Sequence, residues 1–147
     1  MYIVNMGNVY AEIMVKNSRD VVNAREGIIP ENQVRTLALN ALVDTGASTI
    51  VINEEMCEKL GLSIEETNFA TVAGGSRMEC KITEPVQICW KERKASCSAL
   101  VLPGGNALLG LIPLEFMDLM VDPVRQELTG AHGDQMVIMV MNAHSQK

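Results

Sequence analysis

The segment Ala41-Leu42-Val43-Asp44-Thr45-Gly46-Ala47-Ser48-Thr49 sets a carboxylic acid at the end of an apolar run. Leu42 and Val43 carry that acid toward a partly desolvated place, which is costly unless the charge is compensated. Compensation is written into the next residues. Thr45 offers a hydroxyl that can fasten the loop. Gly46 lets backbone approach and donate N–H groups. Ser48 and Thr49 add short polar groups before the chain turns apolar again at Ile50-Val51-Ile52. The chemistry open to such an acid is proton transfer to and from a bound molecule. The same tripeptide also serves as a plain turn between strands.

Other chemistries lack their residues. The chain has no G-x-S-x-G elbow, no phosphate-binding G-x-x-x-x-G-K-[ST] and no H-E-x-x-H. Gly104-Gly105 lacks the further glycine of a dinucleotide fingerprint. His132 sits in Gly130-Ala131-His132-Gly133-Asp134, which reads as a turn, and Glu54-Glu55 and Glu65-Glu66 read as solvated faces. The four cysteines, Cys57, Cys80, Cys89 and Cys97, form no C-x-x-C pair and read as reduced, buried small hydrophobes. No metal and no cofactor is expected.

Composition narrows the class further. The 147 residues fit one domain, 1–147, and 48% hydrophobic against 20% charged residues is a globular balance. Twelve basic and eighteen acidic side chains leave a net charge of −6, and aromatics are 3%. Neither a phosphate-neutralising surface nor a stacking platform for bases is available, so no nucleic-acid partner is expected. No apolar run reaches the ~18 residues of a membrane span. Met1-Tyr2-Ile3-Val4-Asn5-Met6-Gly7 lacks the basic, apolar and small-residue regions of a signal peptide, which makes the cytoplasm the expected location.

The elements that must hold Asp44 are mostly strands. Val9, Ala11, Ile13 and Val15 alternate with Tyr10, Glu12 and Met14, and Leu37, Leu39, Ala41 and Val43 make one face of a strand over 36–43. The polar stretch 17–33, with Gly27 and Pro30, reads as a long exposed loop. After the strand 49–52, Asn53 caps a helix that carries Glu54, Glu55 and Lys59 and stops at Gly61. Gly74-Gly75-Ser76 joins 69–73 to 77–83 as a hairpin, and 86–90 and 96–102 are further strands around the charged turn 91–94. Ala107-Leu108-Leu109-Gly110 leads to a second helix, with Pro113 in its first turn and Leu114, Met117 and Met120 as its buried stripe. Residues 126–129 and 135–141 complete about eight or nine strands. The expected fold is mainly β, a closed or nearly closed barrel with one or two short helices.

The order of these pieces resembles the retropepsin-like (clan AA) aspartic peptidases. Leu42-Val43-Asp44-Thr45-Gly46-Ala47-Ser48 looks like their catalytic loop. Val72-Ala73-Gly74-Gly75-Ser76-Arg77 is similar to the flap that closes over substrate. Asn106-Ala107-Leu108-Leu109-Gly110 resembles the loop that crosses beneath the catalytic loop just before a helix. The nearest likeness is to small single-domain prokaryotic members, through Leu-Leu-Gly-x-x-Pro-Leu-Glu at 108–115 and the early Met6-Gly7. The resemblance spans about 7–128. The 17–33 loop is longer than usual in that family, and the tail after Gly130 matches no motif of it.

The resemblance implies an aspartic endopeptidase that cuts peptides or proteins with two aspartates and one water. One Asp-Thr-Gly per chain implies a homodimer, in which Asp44 of each subunit supplies half of the dyad. Thr45 would brace the paired loops, with Gly46, Ala47 and Ser48 shaping them. Ala73, Gly74, Gly75 and Ser76 would receive an extended substrate. The apolar segment 135–142, with Tyr2-Ile3-Val4 beside it, is a candidate interface strand, and equally a strand internal to the monomer. A catalytically silent peptide-binding or dimerisation module with the same fold is the alternative. The third reading is an unrelated β domain with a chance Asp-Thr-Gly.

Overall fold

Alternation in the first strand decides the inside of the molecule. In β1 (Tyr10–Asn17), Ala11, Ile13 and Val15 are buried while Tyr10, Glu12 and Met14 face outward. A computed structural model describes residues 8–138 and 140. Along the chain follow α1 (Ser18–Arg25), β2 (Thr36–Val43), β3 (Ile50–Asn53), α2 (Glu54–Leu60), β4 (Ile64–Thr71) and β5 (Arg77–Trp90). Then come β6 (Arg93–Leu102), β7 (Leu108–Leu109), α3 (Leu111–Phe116), β8 (Leu119–Asp122) and β9 (Glu127–Gly130).

The sheet runs β1-β2-β7-β3-β6-β5-β4, and β1 pairs again with β5 through Met14–Asn17 and Val86–Cys89. That second pairing closes six strands into a barrel and leaves β4 outside as the free arm of a hairpin. Closure removes the exposed edges that an open sheet of this size would present. The side chains turned inward, among them Val15, Ile50, Ile52, Val86, Ile88 and Leu109, form the core with Leu60 and Met117. The fold is therefore the expected mainly-β barrel. Among the described residues no helix is long and apolar enough to cross a membrane.

α2 forms where its capping residues predict. The Asn53 side chain accepts from Met56 N at 2.9 Å, and Gly61 ends the helix at φ 61°. Pro113 also sits in the first turn of α3, where its missing N–H leaves no bond unmade.

Four expectations need correction. The stretch 17–33 is not all loop, since α1 occupies Ser18–Arg25 and a short 3-10 turn occupies Glu31–Gln33, which makes three α-helices among the described residues rather than one or two. Asn17 is the reason. Its Oδ1 caps α1 through Asp20 N at 3.2 Å, and its Nδ2 donates to Leu60 O at 2.9 Å, so a wholly buried side chain nails the helix to the end of α2. Asp20, also buried, then takes Arg35 Nε at 2.7 Å and Nη2 at 2.9 Å. Secondly, β5 runs unbroken through Pro85, with the irregularity taken up as a register shift against β6 between Ile82 and Pro85. Thirdly, Met120 lies on β8 and is exposed, so only Leu114 and Met117 of the expected stripe are buried. Finally, Gln135–Ile138 belong to no strand of this chain. Met139, Met141 and Asn142 of that candidate strand, and Tyr2-Ile3-Val4, lie outside the described residues.

Candidate active site

β7 is only two residues long, yet it builds the site. It lies parallel to β2 (Leu42 to Leu108, Val43 to Leu109) and antiparallel to β3 (Ile50 to Leu109, Val51 to Leu108). It therefore fills the gap that opens where the chain leaves β2 and returns as β3, and that gap is the Asp44 loop. Asp44 N donates to Leu109 O at 3.0 Å, and Leu42 N to Ala107 O at 2.9 Å. Just past β7, Leu111 N reaches Ala47 O at 2.8 Å and Ile112 N reaches Ser48 O at 2.9 Å. The loop thus has hydrogen bonds on both of its arms.

Gly110 is required by this approach. A Cβ built there would fall against the backbone oxygens of Thr49 and Ala47 and the backbone nitrogen of Thr49. Its φ of −93° is ordinary, so clearance and not backbone freedom selects glycine. Gly46 has a different role. Its N–H donates to Asp44 Oδ1 at 2.8 Å, a charge-assisted bond, while Ala47 N closes the turn on Asp44 O at 3.1 Å. Asp44 itself is half-buried, and Thr45, Gly46 and Ser48 are exposed. Among the described residues the second carboxylate oxygen accepts no bond, so it is available to another molecule.

Thr49 is a supporting residue that the sequence reading left among the short polar groups. Its hydroxyl donates to Ser98 O at 2.7 Å and lies 3.3 Å from Cys97 Sγ, fastening the outgoing arm of the loop to β6. A hydroxyl at the first position of an otherwise apolar strand was the available signal.

The hairpin tip between β4 and β5 turns as expected. Val72 N bonds Ser76 O at 2.9 Å and Gly75 N bonds Val72 O at 3.0 Å, with Gly74 and Gly75 at φ 94° and 84°. Ala73, Gly74, Gly75 and Ser76 are all exposed. So Asp44, Leu108, Leu109 and Gly110 are brought together by direct bonds, whereas no hydrogen bond among the described residues links the hairpin tip to the Asp44 loop. Two surface hollows lie elsewhere, one lined by Trp90, Arg93 and Met136 and one by Glu12, Met14 and Cys89.

Charge pairs hold the surroundings. Arg19 grips Glu84 with two bonds, at 3.1 and 2.8 Å, and Ser63 N adds a third at 2.7 Å. The Arg19 guanidinium thereby holds the Glu84 carboxyl below its ordinary range. Hydrogen bonds from Arg35 do the same for Asp20, against the opposing effect of burial. Among the described residues no group of three or more His, Cys, Asp or Glu side chains is gathered as a metal would need.

A six-stranded closed barrel with a projecting hairpin, and an Asp-Thr-Gly loop underpinned by Leu-Leu-Gly, defines a retropepsin-like aspartic protease fold. Residues 31–116 match the family described as "gag-polyprotein putative aspartyl protease", and the chain belongs to that family. Among solved structures it is similar to the retroviral protease-like domain of Ddi1 from Leishmania major, with a TM-score of 0.52 and 14% identity over 92% of this chain and 96% of that one. It is also similar to the EIAV protease complexed with the inhibitor HBY-793, with a TM-score of 0.47 and 22% identity over 75% of this chain and 86% of that one. No curated protein matches it in sequence.

Proposed function

We propose that the chain is an aspartic endopeptidase that works as a homodimer, with Asp44 of each subunit forming the catalytic pair. The observation that carries this reading is the Asp44 loop. One carboxylate oxygen is held by Gly46 N–H, the other accepts no bond among the described residues, and the loop is braced by β7. Family membership supports the same chemistry.

Two Asp44 carboxylates brought together across a twofold axis cannot both ionise cheaply, so they share one proton. The ionised member takes a proton from a water held between them. The protonated member gives its proton to the scissile carbonyl oxygen as the water oxygen attacks the carbonyl carbon. The resulting tetrahedral diol collapses with protonation of the leaving amine. The two apparent pKa values belong to the pair and not to either residue. Thr45, exposed at the loop tip, braces the paired loops. Ala47 leaves room beside the dyad. Ala73, Gly74, Gly75 and Ser76 offer backbone to an extended peptide. The apolar segment that includes Met136, Val137, Ile138 and Val140, all exposed, supplies interface.

The test is digestion of a diverse peptide mixture from pH 3 to 8, read by mass spectrometry, with wild type beside Asp44→Asn. Cuts made by wild type and lost in the variant are expected. The same digest run on a sample confirmed as dimeric, with no cuts by either protein, overturns the peptidase reading and leaves a peptide-binding module.

A further inference from the structure

Asp118 follows α3 with a positive φ of 56° and is only 6% exposed. Its polar groups are heavily used. The carbonyl oxygen accepts from Arg93 Nη1 and from Ala131 N, each at 2.8 Å. Carboxylate Oδ2 lies 2.8 Å from His132 Nδ1 and accepts from Val137 N at 3.0 Å. One buried side chain therefore ties together the end of α3, the turn after β9 and the C-terminal segment. Arg93 reinforces the same junction through Met117 O at 2.9 Å and Gly133 O.

What this junction holds is apolar and outward. Met136, Val137, Ile138 and Val140 are 37%, 37%, 46% and 79% exposed. Among the described residues, the bond from Val137 N to Asp118 is the one hydrogen bond that reaches residues 135–138 or 140. The hydrogen-bonded tie of this segment to the barrel is thus a single carboxylate, and that carboxylate also meets His132.

We propose that Asp118 and His132 form a charge-set latch that positions Met136, Val137, Ile138 and Val140 for contact with a second copy of this chain. The choice of a second copy rests on the homodimer reading above, while the latch itself does not. Asp118 is a positioning residue and touches no reacting group.

The latch has a defined response to pH. A protonated His132 gives both an ion pair and a hydrogen bond, whereas the neutral ring with its proton on Nδ1 keeps the hydrogen bond alone. The His132 hydrogen bond, then the Val137 N–H, hold the Asp118 carboxyl below its ordinary range. Arg93, from β6, is a further charge that lowers the pKa of the Asp118 carboxyl, and its Nη1 reaches the Asp118 carbonyl at 2.8 Å. α3 contributes the Glu115 carbonyl, which accepts from Asp118 N at 3.1 Å. An ion pair therefore holds the latch more firmly than the hydrogen bond alone, and the latch weakens in strong acid when Asp118 gains a proton.

Amide hydrogen exchange at Val137, followed by NMR on the full chain from pH 5 to 8 and corrected for intrinsic rates, reads the latch directly. Wild type should exceed His132→Gln in protection by about two- to five-fold, the size of a half-exposed ion pair, because glutamine keeps an N–H donor without the charge. Asp118→Asn should lose roughly ten-fold or more of the protection, because the bond to a charged acceptor is gone. His132 is half-exposed, so its variant carries the test even where Asp118→Asn folds poorly. Equal protection in wild type and His132→Gln, or unchanged protection in Asp118→Asn, overturns the latch. Sedimentation of the same samples separates the two readings. The dimer constant should weaken in step with Val137 protection. A wild type that stays monomeric with its latch intact overturns the second-copy assignment and the homodimer together. A cleaving dimer with an unprotected Val137 overturns the latch alone.

Discussion

Replacing Gly110 by alanine adds one methyl group where backbone already stands on several sides. The added Cβ would meet the carbonyl oxygens of Ala47 and Thr49 and the Thr49 nitrogen, none of which is a flexible side-chain end. Relief requires β7 to move away from the loop. That puts at risk Asp44 N to Leu109 O and Leu111 N to Ala47 O, two bonds of 3.0 and 2.8 Å. Overpacking of this kind costs about 1–3 kcal/mol, and each weakened bond adds about 1 kcal/mol. A loss of roughly 2–5 kcal/mol follows. An unfolding entropy of about 2.1 cal/mol/K per residue makes ~0.3 kcal/mol/K for a chain of 147 residues. The expected fall in Tm is therefore about 7–16 °C by scanning calorimetry at neutral pH. Gly104→Ala is the matched control. Nothing lies within 4 Å of its added Cβ, so its Tm should hold or rise slightly. A Gly110→Ala protein melting within about 3 °C of wild type would refute the close-packed account of the loop.

The helix that composition hid offers another test. Asn17→Ala removes the cap of α1 and leaves the Leu60 carbonyl without its buried donor, for an expected loss of about 2–4 kcal/mol by urea denaturation. Acid should weaken the fold by a route separate from catalysis. Asp20 and Glu84 have folded pKa values below their ordinary 3.8 and 4.5, so their stabilisation is fully present above those values and is lost as pH falls through the depressed ones. Wild-type Tm should drop steeply below about pH 4, and the drop should be shallower in Asp20→Asn, which starts lower. A Tm flat down to pH 2.5 contradicts the assignment. Activity assayed at pH 3 therefore needs a melting curve beside it.

The parts of the fold that were readable in the sequence are those whose cause is local. β1 and β2 are half-buried strands, and their period-two pattern states which side chains face in. α2 carries its own cap, charges and stop within a few residues. The Asp44 loop and Leu108-Leu109-Gly110 were readable as separate motifs. In the fold the two are joined by the Asp44–Leu109 and Leu111–Ala47 bonds. α1 was hidden because its support comes from far along the chain, from Leu60 to Asn17 and from Arg35 to Asp20, while its own residues look like loop. The expected gap between strands 77–83 and 86–90 is absent, because a register shift against β6 between Ile82 and Pro85 lets β5 run on. Met120 fitted a helical spacing, but the helix ends at Phe116, and strand β8 turns Met120 outward. Thr49 acts through β6, a partner that its immediate neighbours do not reveal.

The position of β7 in the chain also sets a timetable for biosynthesis. Asp44 emerges early, but the strand that underpins its loop does not arrive until Leu108 and Leu109 have been made. At bacterial or eukaryotic elongation rates of ~5–20 residues per second, that interval is several seconds. Throughout it the Asp-Thr-Gly turn has no Leu109 carbonyl to bind, and β3 lacks a neighbour on one side. A growing polypeptide therefore carries Asp44 without the scaffold that orders its loop until most of the barrel has been synthesised.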